Sequence, residues 1–225
     1  LVTEQNKRLL NFSYIVSHNL RSHTSNIESI ISLIESAESE EERNEMMQLL
    51  KSVSNSLDET MKHLNEVVNI NTNINLVIKP LNLIKYIDKA KEVLSEQILS
   101  NKVTLTTNIP EDATINYNSA YLESILYNLI SNAIRYRHPQ RKPIISINLY
   151  QQNDKTIIEV SDNGIGIDLV RNADKIFGMY KTFSSNSDAR GIGLFITKNQ
   201  VDAMGGSITV DSIPNEGTTF KIYVK

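Results

Sequence analysis

Cysteine is absent from the 225 residues, so neither a disulfide framework nor a thiolate metal site can be built, and a reducing, cytosolic setting is expected. No apolar run approaches the ~18 residues of a membrane-spanning helix. A basic excess is missing too. The 23 Lys and Arg against 26 Asp and Glu leave a net charge of −3, which offers nucleic acid no electrostatic footprint. The opening LVTEQNKRLL has no Met and no signal-peptide pattern, and reads as the edge of an excised fragment. What remains, 40% hydrophobic and 22% charged residues, is the composition of an ordinary globular protein with one sizeable core or two smaller ones.

The charge is unevenly spread. Residues 1–78 hold 6 basic against 11 acidic side chains, and residues 79–225 hold 17 against 15. Hydropathy changes at the same place. Leu9, Phe12, Val16, Leu20, Ile27, Ile30 and Ile34 step by threes, fours and one seven, the stripe of a bundle helix. After the interruption SAESEEER, read as a solvated turn at Ala37–Arg43, a second stripe runs through Met46, Leu50, Val53, Leu57, Met61, Leu64 and Val68 without Gly or Pro. The two form an antiparallel hairpin. Two helices leave each stripe half covered, so a dimeric four-helix bundle is the expected arrangement.

NINTNINLVIKPLNL has no helical stripe and contains Pro80, and reads as a linker. The expected domains are a hairpin over 1–70, a linker over 71–82 and a second domain over 83–225. In that domain the patterns predict helices at about 83–100, 119–136 and 190–204, and strands at about 102–108, 113–116, 143–150, 155–162, 207–212 and 218–224. The fold class expected is α+β: the hairpin, then a two-layer α/β sandwich with helices on one face of a mixed sheet.

Three stretches could hold a ligand. DNGIGID at Asp162–Asp168 follows a strand, where an acid can enter a pocket while glycines turn the chain, although a plain turn reads the same way. RGIGLFITK at Arg190–Lys198 opens a helix with two glycines, whose backbone N–H groups suit phosphate oxygens or simply close packing. LYNLISNAIRY at Leu126–Tyr136 sets Asn128 and Asn132 on one helix face, where amide oxygens can complete a Mg2+ shell or be merely solvated.

Taken in order, the stretches resemble the bacterial sensor histidine kinases over nearly the whole chain. YIVSHNLRSH resembles their phospho-acceptor box, NLISNAIRY their N box, DNGIGID and RGIGL their two glycine boxes, KIFGMYKTF their F box, and NEGTTF the last glycine-rich box. The resemblance implies a Bergerat-type ATP-binding domain that uses ATP and Mg2+. It assigns catalysis to His18, Asn19 and Arg21, the adenine amino group to Asp162, and Mg2+ to Asn132 with Asn128 close to the phosphates. Arg135 stands where the family often has a phosphate-contacting Lys, beside Tyr136. Gly164 and Gly166 would pass close to the base, and Thr219 would lie behind it. Gly191, Gly193 and Leu194 would shape the phosphate side. Phe177 and Phe183 would bracket the mobile lid, and Lys181 between them would belong to the nucleotide-binding set. The implied partners are a second copy of the chain, an upstream sensory domain and a response regulator receiver domain, with no contact to membrane or nucleic acid. The implied function is autophosphorylation on histidine, then phosphoryl transfer to an aspartate.

Helical phase ranks the two histidines of YIVSHNLRSHT independently. Threes and fours lead from Val16 through Leu20 to His23 and on to Ile27, placing His23 inside the bundle, bonded to a neighbouring helix. His18 lies about 200° round from Val16 and faces outward. Two positions depart from the family pattern. His23 replaces the usual helix-bending proline, which predicts a straighter helix. Asn19 replaces a carboxylate that could accept a proton, so slower transfer is expected, and phosphatase activity with Asn19 and Ser22 is open.

Overall fold

The computed structural model describes residues 20–72, 76–178 and 192–225. The chain divides into two compact units, with the boundary between Asn69 and Ile70.

The first unit is the expected hairpin. Helix α1 is described over residues 20–36 and α2 runs Glu40–Thr72. On α1, Leu20, His23, Ile27, Ile30 and Ile34 are half-buried, and the residues between them are exposed. The stripe on α2 passes through Met46, Leu50, Val53, Ser56, Leu57 and Thr60, whereas Met61, placed on it by the sequence, is 44% exposed. Thr60 is buried and meets His23, whose Nε2 lies 3.2 Å from Thr60 Oγ1. Contact between positions so far apart in sequence fixes the helices as antiparallel.

The acidic interruption is mostly helix rather than turn. Glu40, Glu41 and Glu42 form the first turn of α2, where the exposed N–H groups and helix dipole favour carboxylates. Ser39 Oγ accepts from the Glu42 N–H at 3.1 Å, and Glu42 Oε2 accepts from the Glu38 N–H at 3.1 Å. This reciprocal cap of the Ser-x-x-Glu kind leaves only residues 37–39 to turn the chain.

The second unit begins with a strand inside the stretch read as a linker. β1 (Lys79–Asn82) pairs antiparallel with β3 (Thr114–Tyr117), matching the buried side chains of Leu81 and Ile115. Asn82 then caps α3 (Leu83–Val93), accepting from the Lys85 N–H. The single helix expected to residue 100 breaks at Leu94. Leu83, Ile87, Ala90 and Leu94 complete a buried stripe, and the next six residues, α4 (Ser95–Ser100), bury nothing and turn the chain toward β2 (Thr104–Asn108).

Helix α5 (Ser119–Arg135) lies against α3 on one side and α7 (Gly193–Ala203) on the other. Asn118 caps its start by accepting from the Ala120 and Tyr121 N–H groups. Beyond it come β4 (Ile144–Gln152), β5 (Lys155–Asp162), the short α6 (Leu169–Asn172) with a 3-10 turn over Ala173–Lys175, β6 (Ser207–Ile213) and β7 (Gly217–Val224). The large sheet has the order β2-β4-β5-β7-β6, parallel between β2 and β4 and antiparallel elsewhere. Ile145, Ile147, Ile158, Val160, Phe220, Ile222 and Ile208 share its buried face with Leu122, Ile125, Leu126, Leu129 and Ile196 of the helices. The mixed-sheet sandwich is as expected.

Candidate nucleotide-binding site

Asp162 ends β5 on the helix-covered face, because its partners in register, Thr218 on β7 and Ile145 on β4, face that way. Burial pushes its carboxyl up to about 6, while backbone N–H groups of Gly164 and Thr218 bond it and pull the other way. The Gly164 N–H donates to Oδ1 at 2.8 Å, and with only two backbone donors on it the carboxylate keeps lone pairs that can accept from a ligand.

The loop after Asp162 is pinned on two sides. On one, the Ile165 N–H donates to the carbonyl of Tyr136, the residue capping the end of α5, at 2.9 Å. On the other, the Asn215 N–H donates to Ile165 O at 2.7 Å and the Ile167 N–H to Ser212 Oγ at 2.8 Å. Gly166 makes this possible: its φ is +67°, and a Cβ there would collide with the Ile213 carbonyl oxygen. Gly217, at φ +144°, passes so near the Asp162 carbonyl oxygen that no side chain fits.

Ser212 closes the cluster by donating to Gly217 O at 2.8 Å, leaving its oxygen to accept from the Thr218 hydroxyl at 3.0 Å. The threonine on Asp162's face is therefore Thr218, which is buried. Thr219, assigned behind the base by resemblance, points to the opposite face and bonds Ser161 Oγ at 2.9 Å. Period-two alternation separates the two threonines completely. Thr218, Ser212 and Gly217 were missed as site residues, although NEGTTF contains two of them.

Asn128 projects from α5 toward the start of α7, its Nδ2 3.5 Å from Gly193 O, and a Cβ on Gly193 would press Asn128 Oδ1 at 3.3 Å. Asn132 is half-buried one turn further along, its carbonyl accepting from the Tyr136 N–H. Arg135 is exposed, and Leu194 and Phe177 are half-buried. The structure thus joins Asp162, Gly164, Gly166 and Tyr136 in one cluster, and Asn128 and Gly193 in another. Arg21 is exposed on α1. His18, Asn19, Lys181, Phe183 and Gly191 lie outside the described residues.

A half-buried acid with acceptor capacity to spare, a tightly packed glycine turn beside it, and the Asn128 amide facing a glycine-opened helix suit a ligand with a hydrogen-bonding ring and an anionic tail. That is the class of nucleotide-binding domains. Residues 117–225 match the family described as "Histidine kinase-, DNA gyrase B-, and HSP90-like ATPase", and this part of the chain belongs to it, as a sensor histidine kinase ATP-binding domain. The chain is 32% identical over 190 residues to the signal transduction histidine-protein kinase ArlS of Staphylococcus haemolyticus, covering 80% of this chain and 38% of that protein. It is 22% identical over 224 residues to the circadian input-output histidine kinase CikA of Synechococcus elongatus, covering 95% of this chain and 29% of that protein. It therefore spans well under half the length of these curated relatives. The solved structure of histidine kinase ThkA in complex with response regulator protein TrrA superposes with a TM-score of 0.76 at 20% identity, covering 99% of this chain and 63% of that one, which shows a common fold.

Proposed function

We propose that the chain is the core of a protein histidine kinase that phosphorylates His18 from ATP and passes the phosphoryl group to an aspartate of a response regulator. The observation that carries this reading is the half-buried Asp162 carboxylate, fixed by the Gly164 and Thr218 N–H groups and keeping lone pairs that could accept from an adenine amino group. The glycines beside it let the chain pack into a tight turn that fixes the acid's position, and an acceptor carboxylate so held fits a ring that carries an amino group. Asn132, with Asn128 beside it, would hold Mg2+, which offsets charge on the phosphates without being neutralised by the amide.

His18 attacks in line through the lone pair of a neutral imidazole nitrogen: an N–P bond forms, the bond to the leaving ADP oxygen breaks, and the other ring nitrogen then gives its proton to water. With an unperturbed value of about 6.5, a histidine is mostly neutral at pH 7, so the lone pair is available without a carboxylate at position 19. The chain would act as a homodimer through the half-covered stripes of α1 and α2. ThkA's complex with a response regulator supports the same class of partner here. Among the described residues no helix is long and apolar enough to cross a membrane.

The test is incubation with γ-labelled ATP and Mg2+, comparing His18→Ala with His23→Ala. Label should vanish with the first change and persist with the second; the reverse pattern would sink the assignment. Asn19 favours one second reading, an ATP-binding dimer that signals by conformation, and nucleotide binding without any acid-labile phosphoprotein would select it.

A further inference from the structure

The loop after Asp162 must keep a fixed path if its carboxylate is to be aimed, and one side chain from outside every motif reaches it. Arg141 lies between α5 and β4 in RHPQRKP. Its Nη2 donates to Gly164 O at 3.0 Å and also to Asn215 O. These carbonyls lie on separate loops: Gly164 follows Asp162 by two residues, and Asn215 sits in the β6–β7 turn that brings Gly217 past the Asp162 carbonyl.

The same two loops are joined to each other and to α5. The Gly164–Ile165 peptide unit is held through its oxygen by Arg141 and through its N–H by Tyr136 O. Asn215 returns a bond to Ile165 O. Arg141 therefore closes a ring that runs from the end of α5 through the acidic loop to the β6–β7 turn. Its Nε is shut off from solvent, so the side chain is embedded in the ring and does not merely lie across it. A guanidinium suits this task because its planar fork is permanently charged and offers several donors in fixed directions.

We propose that Arg141 is a positioning residue for the nucleotide site, tying the Asp162–Gly166 loop to the β6–β7 turn so that the Asp162 carboxylate is aimed to select an adenine ring. The inference rests on the ATP-binding reading and deepens it. Without the strap, the 164–165 peptide keeps its N–H bond to Tyr136 O but its oxygen is no longer held, so the loop loosens, the Gly164 N–H approaches Oδ1 less rigidly and the acid is less sharply aimed. Recognition of the base amino group suffers. The amides of α5 and the start of α7, which serve the anionic end, are not held by Arg141.

The test is titration of the 225-residue chain with ATP and with GTP, each with Mg2+, by isothermal calorimetry, together with melting of the nucleotide-free protein. Arg141→Ala should weaken ATP binding by about tenfold, the loss typical of a charge-assisted hydrogen bond, while GTP binding changes less, so the ATP/GTP ratio narrows. Arg141→Lys, which keeps the charge, should recover part of the ratio. An unchanged ratio in Arg141→Ala, whether affinity holds or falls equally for both nucleotides, would overturn the proposal. If that variant does not fold, Arg141→Gln decides: its amide can bridge only weakly, so a narrowed ratio supports the strap and a wild-type ratio overturns it. Failure of the wild-type chain to bind ATP would instead sink the nucleotide reading on which the strap rests.

Discussion

Asp162 sits in an environment that disfavours its charge and offers a ligand an acceptor. Its folded value of about 6 lies above the ordinary 3.8, so the folded state holds its proton more tightly than the unfolded chain. Its stabilising contribution is full below pH 3.8 and is lost as pH rises through about 6. At neutral pH the buried charge then costs on the order of 3 kcal/mol, at about 1.4 kcal/mol per unit. A ligand amino group donating to the carboxylate offsets part of that cost. Two results should follow. ATP affinity should fall as pH drops below about 6, where the carboxyl takes up its proton. Asp162→Asn should bind ATP far less well, lose the pH dependence, and melt higher than wild type at pH 7.5; a variant that melts lower and still binds would refute the account. Glycine gives a second prediction at this scale. All eight glycines follow residue 163, where the site lies. Gly166→Ala should cost roughly 3 kcal/mol through the left-handed backbone and the clash with Ile213, read as a lower melting temperature together with lost nucleotide binding.

At the scale of elements, the hairpin is held by a bond whose direction can be worked out. The Thr60 hydroxyl donates its proton to Ser56 O at 2.8 Å, so His23 Nε2 must be the donor to Thr60 Oγ1. Nε2 carries a proton in this neutral tautomer and in the cation alike, so the clasp survives either state of the ring. A double-mutant cycle of His23→Ala and Thr60→Ala should show coupling of about 1 kcal/mol; additive losses would mean the bond contributes nothing. The helical stripe put His23 on the inside from spacing alone. The same reasoning slipped at Met61, because Ser56 and Thr60, small polar residues, occupy stripe positions that a hydropathy pattern does not mark. β1 was illegible for a related reason. Four residues containing a proline carry no period, and they become a strand only because β3, more than thirty positions later, offers them a partner.

For the whole molecule, two compact units joined in one chain should unfold separately. Calorimetry should show two transitions. Mg-ATP should raise only the one belonging to residues 70–225, by mass action on the folded state. If the hairpin dimerises, the other should rise with protein concentration. A single transition moved equally by both variables would contradict this division.

The sequence determined by itself what depends on spacing along the chain: most of the helices and strands in their order, the mixed-sheet sandwich, the inward phase of His23, and a strand-end acid followed by a glycine turn. These follow from periods of 3.6 and 2 and from residues that tolerate only certain backbones. Tertiary structure alone decided what depends on pairing between distant segments. Strand register chose Thr218 over its neighbour Thr219 as the companion of Asp162, since one step along β7 reverses the face. Folding also brought Arg141, which lies in no motif and carries no period, against two loops whose backbone carbonyls have no signature in the sequence.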